Sequence, residues 1–441
     1  MSVANSKPAR IVILGGGFAG VYAALELEKT LARRRDAEVT LVNRDNFFLF
    51  TPLLQEVAAS DLEITNIVNP IRKMLRHVNF VAAEVESIDL ERHCVSVAHG
   101  RKNHRHNLDY DQLVISLGAI TNFFNLPGLR DRALTMKSLS DAINLRNRLI
   151  ANLEEANFEC CAAGRRRLLT FVVAGAGFAG VETIAALNDF VRDALRFYPR
   201  LSQEMVRVLL VHPREVILPE CGNSLGRYAE RKLRERHVEI KLNCRVTGLS
   251  EHAAELSDGT SAETNTLIWT AGTSPNPLLQ TLPCRSERGR IVVDEFLEVP
   301  GFPGVWALGD CAMVPDSKTG EPQPPTAQHA LREAKVVAQN IAAAIRGEPK
   351  KTFLFASRGQ LAAIGKRTGV ANILGINFSG FIAWWLWRTI YLSKLPRLEK
   401  KIRVMLDWTL DLLFSKDLVQ FQMLRSESVS EHEAADKQKD A

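Results

Sequence analysis

The chain has 441 residues, 46% of them hydrophobic, with seven cysteines and a formal charge of +6. That length exceeds what a single hydrophobic core supports, and the composition is that of a folded protein, so a lone small module and a disordered chain are both excluded. The charge is too diffuse, without a basic groove or a recognition motif, to indicate a nucleic-acid partner.

Met1 to Arg10 is short and polar and lacks the apolar core of a secretory signal, which predicts an active site on the cytoplasmic side. Residues 10–31 read as a buried strand, a glycine turn at 15–20 and a helix from Val21 to Leu31. Further strands are expected at 38–42, 78–88, 94–98 and 113–117. At 168–191 the opening pattern returns as an apolar strand, the turn GAGFAG and a helix from Val181, an internal repeat of one supersecondary unit. Its second strand is expected at 207–211 and its end near LIWTAG, at Gly272. Residues 291–345 return to short strands, a Gly309-Asp310 pair and a helix from Ala327, as if the first domain resumed after an insertion.

The expected fold class is therefore α/β, with two Rossmann-like dinucleotide-binding domains, the second inserted in the first. The predicted spans are 8–125 with 285–348 for the first domain, 126–284 for the second and 349–425 for a C-terminal region. A disordered tail is expected over 426–441. Cysteines 94, 160, 161, 221, 244, 284 and 311 form no CxxC pair and no zinc spacing, and are expected to be reduced, buried and free of metal.

GxGxxG between a strand and a helix is the fingerprint of dinucleotide binding. One glycine makes the turn, one admits the pyrophosphate, one lets helix pack on strand, and the helix N-terminal amides hold the phosphates. One copy is a weak signal, since packing alone also selects such turns; two copies imply two dinucleotides. The candidates are Gly15, Gly17, Phe18, Ala19 and Gly20 in the first copy and Gly175, Gly177 and Gly180 in the second. The usual acid after the second strand is replaced by Asn43, followed by Arg44, in one copy and by His212 in the other. Asn43 can accept a ribose hydrogen bond. His212, with Arg214 nearby, leaves NADH and NADPH both open as donors, NADPH gaining as the imidazole protonates. Glu182 follows the last glycine of the second copy by two residues, where it complements the helix dipole or serves near the nicotinamide.

Four of the six tryptophans fall within 384–408, among basic residues. From Lys400 onward, Lys400, Arg403, Asp407 and Asp411 share one helical face, while Ile402, Met405, Leu406, Leu410 and Leu413 share another. Such a helix either lies in a membrane interface with tryptophan at headgroup depth, or packs on its own core or on a second copy of the chain, which keeps a homodimer open. No stretch approaches the roughly 18 apolar residues of a spanning helix.

Several segments resemble the type II NADH dehydrogenases, single-subunit NADH:quinone oxidoreductases of the two-dinucleotide flavoprotein superfamily. They are GGGFAG at 15–20, FLFTPLLQEVA at 48–58, LVISLGAITNFF at 113–124, AGAGFAGVE at 174–182, LIWTAGT at 267–273, VWALGDCA at 305–312 and PPTAQHA at 324–330. The resemblance spans residue 10 to about 425 and implies FAD as cofactor, NAD(P)H as substrate and a membrane quinone as acceptor. It further implies that Gly309 and Asp310 bind the ribityl chain, that Thr51 and Pro52 lie along the isoalloxazine, and that Gly118 and Ala119 end a strand beside it. Ala327 and Gln328 would stand at the quinone-facing edge with His329 as a secondary candidate, Glu182 would serve nicotinamide or a proton, and the C-terminal helices would attach peripherally to the cytoplasmic face of the plasma or inner membrane. Two alternatives are weighed against it. A sulfide:quinone oxidoreductase needs a redox cysteine pair beside the flavin, and a non-catalytic flavoprotein leaves PPTAQHA without a purpose.

Overall fold

The structure, a computed structural model, describes residues 7–100, 102–316 and 320–421; the expected disordered tail lies outside them. Its backbone is two parallel sheets. The first has five strands in the order Val305–Ala307, Gln112–Ile115, Ala9–Leu14, Ala37–Asn43 and Asn79–Ala82. The second has the order Leu134–Thr135, Thr266–Trp269, Thr170–Ala174, Arg207–Val211 and Val238–Lys241. Strand residues 11–14 and 170–174 are wholly buried, as near-continuous apolar runs covered by helices on both faces must be.

The repeat seen in the sequence is a repeat of geometry. Each glycine turn leaves its strand through a left-handed residue, Gly15 at φ 101° and Gly175 at φ 103°, a conformation that side chains oppose. Each closes against its own helix, since a Cβ on Gly20 would stand 1.9 Å from Gly15 O and one on Gly180 would stand 1.8 Å from Gly175 O. A hydroxyl from the neighbouring strand's end ties each turn: Ser116 Oγ donates to Leu14 O at 2.7 Å, and Thr270 Oγ1 to Ala174 O at 2.8 Å. The helices Phe18–Thr30 and Phe178–Ala194 begin three residues earlier than the sequence suggests, because the last glycine lies inside each first turn.

Val305–Ala307 pairs with Gln112–Ile115, so the chain does return to the first sheet after completing the second. Ala119–Thr121 and Thr273–Pro275 pair antiparallel as a two-stranded connection between the domains, and Trp269 Nε1 donates to Asn122 O at 2.8 Å across it. This connection belongs to neither sheet, so the second sheet closes at Trp269, within the LIWTAG segment expected to end the repeated unit. The single strand expected over 78–88 is two: Asn79–Ala82 completes the first sheet, whereas Glu84–Asp89 joins a separate antiparallel sheet with Cys94–His99 and His104–Asp109.

The C-terminal region is a three-stranded antiparallel sheet, Gly359–Ala363, Gly369–Ile373 and Ile376–Ser379, followed by the helices Gly380–Lys394 and Leu398–Leu410. Among the described residues no helix is long and apolar enough to cross a membrane. The expected amphipathic pattern is present, but Lys400 and Asp407 of its polar face point inward, whereas Arg403 is exposed and pairs with Glu399. Lys400 Nζ donates to Thr65 O at 2.6 Å, and the Asp407 carboxylate accepts from Asn66 Nδ2 at 2.6 Å and Glu63 N at 3.1 Å. Ile402, Met405, Leu406, Leu410 and Leu413 are all exposed. Tryptophan at headgroup depth holds only in part: Trp385 is exposed, whereas Trp387 and Trp408 are buried and hydrogen-bonded inside the protein. The cysteines also divide, with Cys221, Cys244 and Cys311 buried but Cys160 and Cys161 exposed; all seven are free thiols.

Candidate active site between the two glycine loops

A cleft of about 520 Å³ opens where the two domains and the C-terminal region meet. The first glycine loop supplies Gly17, Phe18 and Ala19, the segment after Leu49 supplies Thr51 and Pro52, and the strand end supplies Gly118 and Ala119. Gly309 and Asp310 enter from the resumed domain, Ala327 from the helix Ala327–Arg346, and Glu182 and Thr183 from the second glycine helix. Segments far apart in the chain thus converge outside the carboxyl ends of the strands, where open α/β sheets bind ligands.

The cleft fits a flavin dinucleotide. A Cβ on Gly17 or Gly118 would meet nothing within 4 Å, so both backbones face open space. The helix Phe18–Thr30 starts without a side-chain cap or an acid in its first turn, leaving its amides free for phosphate. Gly309 N donates to Glu333 Oε2 at 2.7 Å, which fixes the turn that presents Asp310. Burial pushes the Asp310 carboxyl up from its ordinary range, and the Lys137 charge opposes that rise. Neither Glu333 nor Lys137 carried a motif that would have found it.

The remaining loop candidates shape the site without lining it. Asn43 Oδ1 accepts from Gly16 N at 2.7 Å and its Nδ2 donates to Asp45 O, so its amide is engaged in building the turn. Arg44 is exposed, 3.8 Å from Asp45. His212 repeats the role of Asn43: Nδ1 accepts from Ala176 N at 3.1 Å. The neutral ring then carries its proton on Nε2, a buried atom with no hydrogen-bond partner among the described residues. Burial, and then Arg214, push the imidazole below its ordinary range, and protonation would place a proton on Nδ1 facing the Ala176 amide. This arrangement opposes the expected gain of NADPH through a protonated His212. Gly272 does not line the cleft; its open side is filled by Phe124, 2.5 Å from where a Cβ would be.

Glu182 lies one turn inside its helix, beyond the reach of the dipole explanation. Its Oε1 accepts from Trp387 Nε1 at 2.9 Å and Ala363 N at 3.0 Å, and its Oε2 from Gln55 Nε2 at 3.3 Å. Burial outweighs these donors and pushes the carboxyl up to about 8. A buried acid that holds its proton at neutral pH can give it to a bound substrate. Gln55, Trp387 and Tyr391, which lines the cleft, are functional neighbours that sequence reasoning missed. The signal for Gln55 was present, inside TPLLQEVA, but only the fold shows that it faces Glu182.

A second, narrower cavity of about 190 Å³ adjoins the cleft. The two share Phe18, Pro52, Phe178, Ala327 and Tyr391 as a common wall. Beyond it stand Phe50, Leu331, Leu361 and Ile390, with Gln328 as one of few polar groups and Lys394 on the tryptophan-rich helix Gly380–Lys394. Gln328 Nε2 donates to Ser357 Oγ at 2.9 Å and Gly359 O at 3.2 Å, which anchors its amide in the wall. His329 does not take part. It is buried, with Nδ1 2.7 Å from Thr326 Oγ1 and its ring edge-on to Phe355, and burial lowers its proton affinity. No cysteine lines either cavity, so the redox pair of the sulfide alternative is missing from this site.

Comparison with known proteins agrees with this geometry. Residues 9–334 match the pyridine nucleotide-disulphide oxidoreductase family and residues 358–417 the NDH2 C-terminal domain. A type II NADH:quinone oxidoreductase of Mycobacterium tuberculosis is 33% identical over 92% of this chain and 89% of its own. An internal alternative NAD(P)H-ubiquinone oxidoreductase of Solanum tuberosum mitochondria is 29% identical over 94% of this chain and 88% of its own. A solved NDH2 of Plasmodium falciparum in complex with NADH has the same fold, with a TM-score of 0.86 at 20% identity, covering 94% of this chain and 100% of that one.

Proposed function

Since the chain belongs to the type II NADH:quinone oxidoreductases, we infer that its two adjoining cavities are the two ends of one electron path, with nicotinamide and FAD in the larger cleft and quinone in the narrower cavity. The observation that carries this reading is the shared wall of Phe18, Pro52, Phe178, Ala327 and Tyr391, which sets the cavities back to back. Bound in the cleft, FAD supplies acceptance of a hydride from NADH and release of two electrons to quinone without proton pumping.

The chain's own residues position and protonate. The two glycine turns hold pyrophosphates on helix N-termini, and His212 braces the second turn by accepting from Ala176 N. Phe18, Phe178 and Pro52 exclude water from between the rings. Gln328, whose amide N–H groups are held by Ser357 and Gly359, turns its Oε1 to the hydroxyl of the reduced quinone, and Glu182, on the cleft side of the shared wall, holds the proton that the quinone must gain.

The quinone arrives from a membrane on which the chain lies peripherally. The terminal helices turn Phe381, Ile382, Trp385, Ile402, Met405, Leu406 and Leu413 outward, an apolar surface that water does not favour, beside a cavity mouth on the same helix. The cytoplasmic face is the side on which NADH is available. Stopped-flow kinetics of anaerobic protein test the electron path. Gln328→Ala is expected to leave bleaching by NADH intact and to slow reoxidation by quinone by roughly tenfold, the worth of one hydrogen bond at the acceptor. Equal slowing of both halves would remove Gln328 from the acceptor side.

A further inference from the structure

Glu182 has a counterpart that the scheme above does not use. Glu56, on the short helix Leu54–Ala58, is as deeply buried, and its Oε2 accepts from Trp408 Nε1 at 2.6 Å. The indoles that serve the two carboxyls, Trp387 and Trp408, lie with ring centroids 6.4 Å apart, one from each terminal helix. Gln55, the residue before Glu56, donates to Glu182 at 3.3 Å and so joins the two acids through one backbone step. Among the described residues neither acid has an ion-pair partner within salt-bridge distance. The cation that bears on Glu56, Arg388, is stacked between Trp384 and Trp408, and its Nε has no hydrogen-bond partner.

Two buried carboxyls joined through contacting indoles and through Gln55 oppose each other's ionisation, since a like charge disfavours the charged form. The other groups that bear on them are few. Glu56 is faced by Arg388, by Asp61, itself salted by Lys416, and by Asp411; Glu182 is faced by Tyr391 and Cys221. Burial lifts Glu56 to about 7, with Arg388 opposing, and the charge of Glu56 in turn raises Glu182.

We propose that Glu56 is a positioning residue for Glu182: held by the paired indoles of Trp387 and Trp408, the two carboxyls form one coupled acid in which Glu56 sets the pH at which Glu182 gives up its proton. This rests on the reading of Glu182 as the proton-holding group of the quinone reaction. It also means that the terminal helices, through Trp387 and Trp408, reach the acid of the active site directly.

The test is the pH dependence of quinone-driven flavin reoxidation in the full-length, FAD-loaded protein, with infrared detection of the protonated carboxyl band across the same pH range. In Glu182→Gln the alkaline limb and its carboxyl band should disappear. In Glu56→Gln the limb and the remaining band should move together toward acid by about one unit, because a like charge has been removed. Glu56→Asp should restore the parent midpoint. Trp408→Phe, which deprives only Glu56 of a donor, should also move the limb toward acid, and it stands in if Glu56→Gln does not fold. If Glu182→Gln keeps the limb, the reading of Glu182 fails and the proposal with it. If Glu182→Gln loses the limb but Glu56→Gln and Trp408→Phe lower the rate equally at every pH with the midpoint unmoved, Glu56 only packs and the proposal alone is overturned.

Discussion

Single residues in this chain separate into those that make room and those that hold shape, and the glycines illustrate both. Gly17 adopts an ordinary negative φ and faces open cleft, so Gly17→Val should keep the apoprotein's melting temperature while abolishing the yellow colour of bound FAD. Gly20 lies against Gly15 O, so Gly20→Ala should destabilise even the apoprotein by about 1–3 kcal/mol, as overpacking does. Circular dichroism melts with and without FAD distinguish the two outcomes. His212 supports a second expectation at this scale. Because burial and Arg214 keep the ring neutral below its usual range, the NADPH to NADH ratio of kcat/KM should stay flat as pH falls toward 6. A ratio that climbs in the parent and not in His212→Gln would show that the ring protonates against the nucleotide.

Among the elements, the terminal helix Leu398–Leu410 inverts the arrangement usual in a soluble protein. Lys400 and Asp407 face the protein and are hydrogen-bonded there, while the outward side carries Ile402, Met405, Leu406 and Leu410. Leu406→Glu should therefore weaken partition onto liposomes by roughly tenfold or more, the cost of failing to bury one leucine, with an unchanged melting temperature. Asp407→Ala should do the reverse, lowering stability while leaving lipid binding in place, because it orphans Asn66 Nδ2. Flotation and thermal melts of both variants check this. Deleting everything after Phe378 is a poorer experiment, because it also removes the Trp387 and Trp408 donors from Glu182 and Glu56.

At the scale of the whole molecule, the segment after the helix Leu398–Leu410 binds the C-terminal region back onto both dinucleotide domains. Lys416 Nζ pairs with Asp61 and donates to Ala59 O at 3.1 Å, and Phe421 exchanges backbone bonds with the Asn147 side chain at 2.7 and 2.8 Å. Lys416→Met should cost about 3–5 kcal/mol, since it leaves Asp61 buried without its cation. Adding Asp61→Asn should recover most of that loss. Urea melts of the single and double variants measure the coupling, and additive losses would mean that the pair carries no net energy.

The sequence by itself determined the two glycine turns, the insertion of one domain in the other, and the family, because each rests on local spacing or on strings such as TPLLQEVA and PPTAQHA that need no neighbour to be recognised. It also supplied Gln328, Asp310 and Glu182 as candidates, and the structure places Asp310 and Glu182 on the cleft and Gln328 on the apolar cavity. Tertiary structure alone decided that Asn43 and His212 brace turns, that His329 is a core residue and that two tryptophans turn inward. It alone joined Gln55, Glu56, Glu182, Trp387 and Trp408, which stand up to 353 positions apart from Gln55 to Trp408 by their numbers (408 − 55). The physical reason is that helical and strand periods report which side of an element is apolar, while what covers that side, core or lipid, and which polar group a buried acid meets, depend on packing between distant segments.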